Sequence, residues 1–176
     1  MKPGERLNRV AFFTAVLTWD KEKQDRHKNY IKALEACGVE VVKSNFRRTK
    51  KHGRVMNRYC TRFEEKQTDV AIATMVISDA VRNDCSRVIL ITADSDQIPL
   101  VEALKELCPH VLVTLAAPPE RGGEARALGE LVDERRPITV ERLRACFLPR
   151  TVTDDTGKTI AIRPALYATK DGVNLS

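Results

Sequence analysis

What the chain lacks sets its first limits. No apolar run approaches the ~20 residues that a membrane-crossing helix needs, and the opening MKPGERLNRV does not read as a signal-peptide core. The expected address is the cytoplasm, with no membrane partner. The five cysteines, Cys37, Cys60, Cys85, Cys108 and Cys146, are odd in number, widely spaced and without any C-x-x-C pair. That pattern argues against a disulfide framework and a structural zinc knot, so reduced thiols are expected. His27, His52 and His110 are scattered, which gives no basis for histidine catalysis. No G-x-G-x-x-G follows any strand-like run, and no flavin or haem signature is evident, so a redox cofactor is not indicated.

One absence is local. Between Val41 and Phe63 there is no acidic residue, while eight Lys or Arg fall there: Lys43, Arg47, Arg48, Lys50, Lys51, Arg54, Arg58 and Arg62. The whole chain carries only +6, so this stretch accounts for its basic balance. Clustered cations suit a polyanion, because each neutralised phosphate releases condensed counterions. A solvated loop with no ligand is the competing reading. The stretch has no clear period and reads as a long loop. Phe46, Tyr59 and Phe63 lie within it, available to stack on unpaired bases, although Phe63 also reads as an anchor to the core.

What is present is ordinary for one globular domain: 176 residues, 43% hydrophobic and 31% charged. Val10 to Val16 is a β-prone run. Residues Asp25 to Cys37 place Tyr30, Ile31, Leu34 and Cys37 at helical spacing, with Gly38 where a helix C-cap is expected. Val39 to Val42 reads as a strand. From Glu65 to Asn83, Val70, Ala73, Thr74, Ile77 and Val81 form one helical stripe. Arg87 to Thr92 (RVILIT) reads as a strand covered on both faces. A helix near Pro99 to Leu107, a strand at Val111 to Leu115, an AAPPERGG turn and helices near Ala125 to Val132 and Val140 to Cys146 come next. The domain is expected over residues 1–150, with 151–176 a tail that holds one strand at Thr159 to Ile162. Alternating strands and helices predict an α/β fold with a mostly parallel, doubly wound sheet, whose ligands bind outside the carboxyl ends of the strands.

Asp94 and Asp96 come directly after such a strand end. Carboxylates held there suit magnesium or manganese, which take oxygen ligands and keep several waters. Taken alone the D-S-D signal is weak, because Asp96 also reads as a helix cap and Asp94 as an Asx-turn residue.

The joint pattern is more specific. The run EEKQTDVAIATMVISDAVRNDCSRVILITADSDQIPLVEAL resembles the NYN branch of the PIN-like nucleases, in which an E-K-x-x-D-V helix precedes a strand ending in S-G-D-S-D-F. The matches are Glu65, Lys66, Asp69 and Val70, then Asp94, Ser95, Asp96 and Pro99, with Thr92 in the serine position. Ala93 stands where glycine is usual and Gln97 where a hydrophobe is usual. The resemblance extends through FFTAV, Arg26, Tyr30, Ala33 and Leu34 upstream, and to Pro118, Pro119, Arg121, Leu148 and Pro149 downstream.

That resemblance implies a three-layer PIN-like sandwich and metal-dependent cleavage of RNA phosphodiesters. Asp69, Asp94 and Asp96 would be the ligands of Mg2+ or Mn2+. Single-stranded RNA is the expected partner, contacted by Arg47, Arg48, Lys50, Lys51, Arg54, Lys66, Thr92 and Arg121. It also implies a first strand ending in I-D-G-x-N and carrying another metal-binding aspartate, neither of which this sequence contains, so a late start, a truncation with loss of catalysis, or a sheet completed by the tail, a homodimer or a second chain is expected. Two other readings stand beside it: a catalytically impaired RNA-binding or regulatory protein, and a pyridine hydroxylase of the kind some NYN-like sequences are described as.

Overall fold

The computed structural model describes residues 4–53, 58–123 and 125–167, without the side chains of residues 50–53, 58–60 and 62. Its elements run β1 (Ala11–Ala15), α1 (Lys21–Ala36), β2 (Glu40–Gly53), β3 (Arg58–Lys66), α2 (Thr68–Val81) and β4 (Arg87–Leu90). Then come a 3-10 turn (Ser95–Gln97), α3 (Ile98–Leu107), β5 (Leu112–Leu115), α4 (Arg126–Leu131), β6 (Glu134–Arg135), α5 (Val140–Ala145), β7 (Thr151–Thr153) and β8 (Thr159–Ile162). The architecture is mixed α/β. Two compact units divide the chain, one holding the described residues up to Thr68 and those from Leu148 onward, the other Asp69–Phe147.

In the first unit, Asp20 starts α1 by accepting the Lys23 amide at 3.0 Å. Gly38, at φ +80°, lets the chain leave the helix in the left-handed conformation that glycine adopts without a Cβ penalty. β1 then pairs in parallel with β2 from Ala11↔Glu40 to Ala15↔Ser44. Beyond Ser44, β2 continues alone and pairs antiparallel with β3, from Asn45↔Lys66 to Gly53↔Arg58. Outside residues 54–57 the basic stretch therefore forms the paired strands of a hairpin arm, not the long loop expected of it. Arg47 and Arg48 are both exposed on alternate faces, so no apolar alternation marks the strand. Backbone pairing fixes it instead.

The helix expected from Glu65 also starts later. Glu65 and Lys66 belong to β3, paired with Phe46 and Asn45, and Gln67 at φ +75° separates them from α2. Glu, Lys and Gln favour helix, but strand pairing overrides that weak preference. The described residues after Leu148, up to 167, are folded: β7 and β8 form a second hairpin, and Val152 and Ala161 pack with Ala33 and Leu148. Asn29 secures it by donating to the Ile162 carbonyl at 2.7 Å.

In the second unit, β4, β5 and β6 pair in parallel. One face of this sheet carries the core: Leu90, Val113 and Leu115 pack with Leu100, Val101 and Leu104 of α3, Leu128 of α4 and Ala80 of α2. The opposite face departs from the expectation of a fully covered strand. Ile89 is 43% exposed and Ile91, just past the strand, 69%. On that face Arg87 donates to Thr114 at 2.9 Å and pairs with Glu134 at 3.1 Å, crossing all three strands. Among the described residues no helix is long and apolar enough to cross a membrane, and Cys37, Cys85, Cys108 and Cys146 are free thiols.

Asp133 ties β5 to α3. Its carboxylate accepts the Val113 amide at 2.7 Å and the Lys105 ammonium. The Lys105 bond, then the Val113 amide, holds the Asp133 carboxyl below the usual carboxylate range. Its contribution to stability is therefore complete above the unfolded-state pKa of about 3.9 and is lost as pH falls through the lower folded value. The expected result is a Tm gap between wild type and Asp133→Asn that is open near pH 7 and narrows below about pH 4, measured by thermal unfolding across pH.

Candidate functional site

The carboxyl ends of β4 and β5 lie at the same edge of the second unit's sheet, because the strands are parallel and in register from Arg87↔Leu112 to Leu90↔Leu115. Past the end of β4 the chain runs through Thr92, Asp94, Ser95, Asp96 and Gln97, and past the end of β5 it enters the turn that carries Arg121. The crossing from β4 is anchored locally. Thr92 Oγ1 accepts the Asp94 amide at 3.0 Å, and Asp94 Oδ1 accepts the Asp96 amide at 3.0 Å, capping the 3-10 turn. The Asx-turn role expected of Asp94 is thus realised, and the Thr92 hydroxyl serves the backbone at the strand end. Asp96 caps nothing: the N-cap of α3 is Gln97, and Pro99 sits in the first turn of that helix, where a missing amide costs little.

Asp69 reaches this edge through Gln97. The Gln97 side chain is 2% exposed and its Nε2 donates to Asp69 Oδ1 at 2.9 Å. The first turn of α2 is thereby held against the D-S-D turn. Gln97 Oε1 is buried without a hydrogen-bond partner among the described residues. A buried amide at this place, where apolar packing would be the cheaper choice, is maintained at a cost and has the Asp69 carboxylate as its visible return.

The three aspartates are exposed, and each keeps an oxygen that takes no hydrogen bond among the described residues. Carboxylate oxygens, with no histidine or cysteine among the candidate ligands, are the donor set a hard cation prefers. The fit is one of donor chemistry at an open edge. Among the described residues no three or more His, Cys, Asp or Glu side chains stand close enough together to hold a metal ion, so as placed the three aspartates do not converge on one.

The remaining expected residues fall in different places. Arg121 is exposed on the turn after β5, where its amide bonds to the Pro118 carbonyl at 3.2 Å. Lys66 belongs to the first unit and pairs with Glu64 at 3.2 Å, while Glu65 accepts from the Thr68 hydroxyl. Glu65 is therefore not stacked one helical turn before Asp69. Arg47 and Arg48 are exposed on the hairpin arm; Lys50 and Lys51 lie on its backbone ladder. Arg54 lies outside the described residues.

The profile of the NYN domain family matches residues 3–138 of the chain. This chain belongs to the NYN domain family. NYN domains are generally nucleases, and membership suggests a nucleic-acid partner. No curated protein matches the chain significantly. Among solved structures, a protein of unknown function from Vibrio parahaemolyticus RIMD 2210633 is similar in fold, at 22% identity and a TM-score of 0.51, over 76% of this chain and 70% of that one.

Two residues of this NYN domain escaped the sequence reading. Gln97 was visible only as a polar residue where the family carries a hydrophobe, and its bond to Asp69 spans 28 positions. Trp19 was visible only as the single tryptophan, lying immediately before the Asp20 cap. It stacks on Phe63 with ring centroids 3.6 Å apart and meets Phe46 edge-on at 4.9 Å.

Proposed function

We propose that this NYN domain is a metal-dependent ribonuclease acting on single-stranded RNA, with Asp69, Asp94 and Asp96 as its acidic centre. The observation that carries the reading is the Gln97 bond to Asp69, which joins the start of α2 to the D-S-D turn at the carboxyl end of β4. Strand ends of this kind are where open α/β sheets bind ligands. A three-layer, doubly wound scaffold and a cytoplasmic address are part of the same reading, with a homodimer or a second chain as alternatives for completing the sheet.

The three carboxylates would hold Mg2+ or Mn2+ directly or through water. Such an ion, when bound, lowers the pKa of a water and offsets charge on a phosphodiester. The protein's own part is positioning. The Asp94 cap fixes the turn, Gln97 orients Asp69, and Thr92 holds the strand end by accepting the Asp94 amide. Arg121 would meet phosphate at the same edge. Arg47, Arg48, Lys50, Lys51, Arg54 and Lys66 would supply sequence-independent phosphate contacts.

A second reading, an RNA-binding NYN domain without cleavage, rests on the carboxylates not converging as a metal-holding group among the described residues. One assay separates the two. Purified protein incubated with a labelled single-stranded RNA should degrade it in Mn2+ or Mg2+ and leave it intact in EDTA. Retention of RNA without cleavage in either metal would select the second reading.

A further inference from the structure

The hairpin arm carries an aromatic shelf as well as charge. Because β2 and β3 are antiparallel, directly opposite residues share a face: Phe46 with Glu65, Arg48 with Phe63. Phe46 and Arg48, two apart on one strand, share that face too. Trp19 sits on it, stacked on Phe63 at an interplanar angle of 13° and edge-on to Phe46 at 84°. It is held there from behind, since the Asp20 cap and the Gln24 side chain, donating to the Leu17 carbonyl at 2.7 Å, fix the β1 to α1 connection.

Phe63 covers one ring face of Trp19, yet Trp19 remains 44% exposed. A ligand stacking on Trp19 would take the ring face opposite Phe63. Covering the rest of the indole would bury further apolar surface and so favour a ligand that fits it. The chemistry of the surroundings says what kind of ligand that is. Arg48 is exposed directly across from Phe63, within a stretch of eight cations and no acid between Val41 and Phe63. A flat apolar surface beside fixed positive charge matches a base attached to a phosphate.

We infer that Trp19, backed by Phe63 and Phe46, is a stacking platform for an unpaired base of single-stranded RNA, with Arg48 on the adjoining phosphate. A duplex keeps its base faces stacked on one another and offers none to an aromatic side chain, so the platform selects single strands. The inference rests on the RNA reading for its polymer but not on the acidic centre. It lies entirely within the first unit.

Trp19 is the chain's single tryptophan, so its own fluorescence reports the event. The experiment titrates the full chain with a 12-nucleotide oligouridylate in EDTA, where cleavage cannot occur. A saturable quench is expected, weakened by salt, and not produced by a duplex RNA of the same length or by inorganic polyphosphate. Trp19→Leu keeps apolar bulk against Phe63, and with anisotropy of a labelled oligouridylate as readout it should weaken binding at least about fivefold. Arg48→Glu, on the surface, should weaken it by a similar factor without changing the unfolding temperature. If Trp19→Leu does not fold, the wild-type quench and Arg48→Glu still decide the matter. Oligouridylate binding without a quench, equal quenching by duplex or polyphosphate, or no binding at all overturns the platform. Metal-dependent cleavage with no quench sinks the platform alone; quench without cleavage sinks only the nuclease.

Discussion

Asp94→Asn is expected to reduce metal-dependent RNA cleavage by at least about a hundredfold, because even residues that only orient a metal's ligands are worth roughly 10- to 100-fold. The substitution is chosen because Asp94 has two separable jobs. Its Oδ1 accepts the Asp96 amide at 3.0 Å and so caps the 3-10 turn. Asparagine caps about as well as aspartate, so unfolding free energy should change by less than about 0.5 kcal/mol. The charge disappears while the turn stays. If Asp94 were only a cap, activity would be unchanged; if it donates an oxygen anion to a cation, activity collapses in a protein that still folds. Unfolding in urea and a timed cleavage assay on the same preparation give both answers. Equal cleavage rates for wild type and variant would remove Asp94 from the proposed centre.

How much of the fold is legible in the sequence depends on which faces are buried. The β4 to α3 and β5 segments are short apolar runs that pack into one core around Leu90, Val101, Leu104 and Val113, and burial of that kind leaves a readable pattern. Gly38 marks the end of α1 because only a residue tolerant of positive φ sits easily at +80°. The hairpin arm is illegible for the opposite reason. Arg47 and Arg48 are exposed on opposite faces and apolar residues are too sparse along β2 beyond Phe46 for a period-2 pattern, so only the pairing from Asn45↔Lys66 to Gly53↔Arg58 reveals it. β7 has three residues and packs through Val152 alone, too little for periodicity. At the site, the D-S-D turn and the α2 carboxylate are each visible in the sequence, but their adjacency is not. That adjacency depends on the Gln97 side chain, whose residue type suggests a surface position although it is 2% exposed.

Gln97→Leu tests the dependence of the Asp69 position on the buried amide. Leucine is similar in volume and suits a buried position, and two energetic changes oppose each other. The buried Oε1 that lacks a partner among the described residues disappears, returning about 1–3 kcal/mol, while the charge-assisted bond to Asp69, worth about 1.5–3 kcal/mol, is lost. The terms nearly cancel, so the variant should stay within about 1 kcal/mol of wild type. Activity should not track stability. Freed from Gln97 Nε2, the Asp69 carboxylate samples rotamers that face away from the D-S-D turn, and activity at limiting Mn2+ should fall about 10- to 100-fold. Raising Mn2+ should recover much of the loss, since a misoriented ligand chiefly weakens metal affinity. A general packing defect predicts the reverse: activity that tracks the folded fraction and ignores metal concentration. Mn2+ titrations of both proteins, beside urea unfolding of the metal-free forms, distinguish an amide kept to orient Asp69 from one that only fills space under α3.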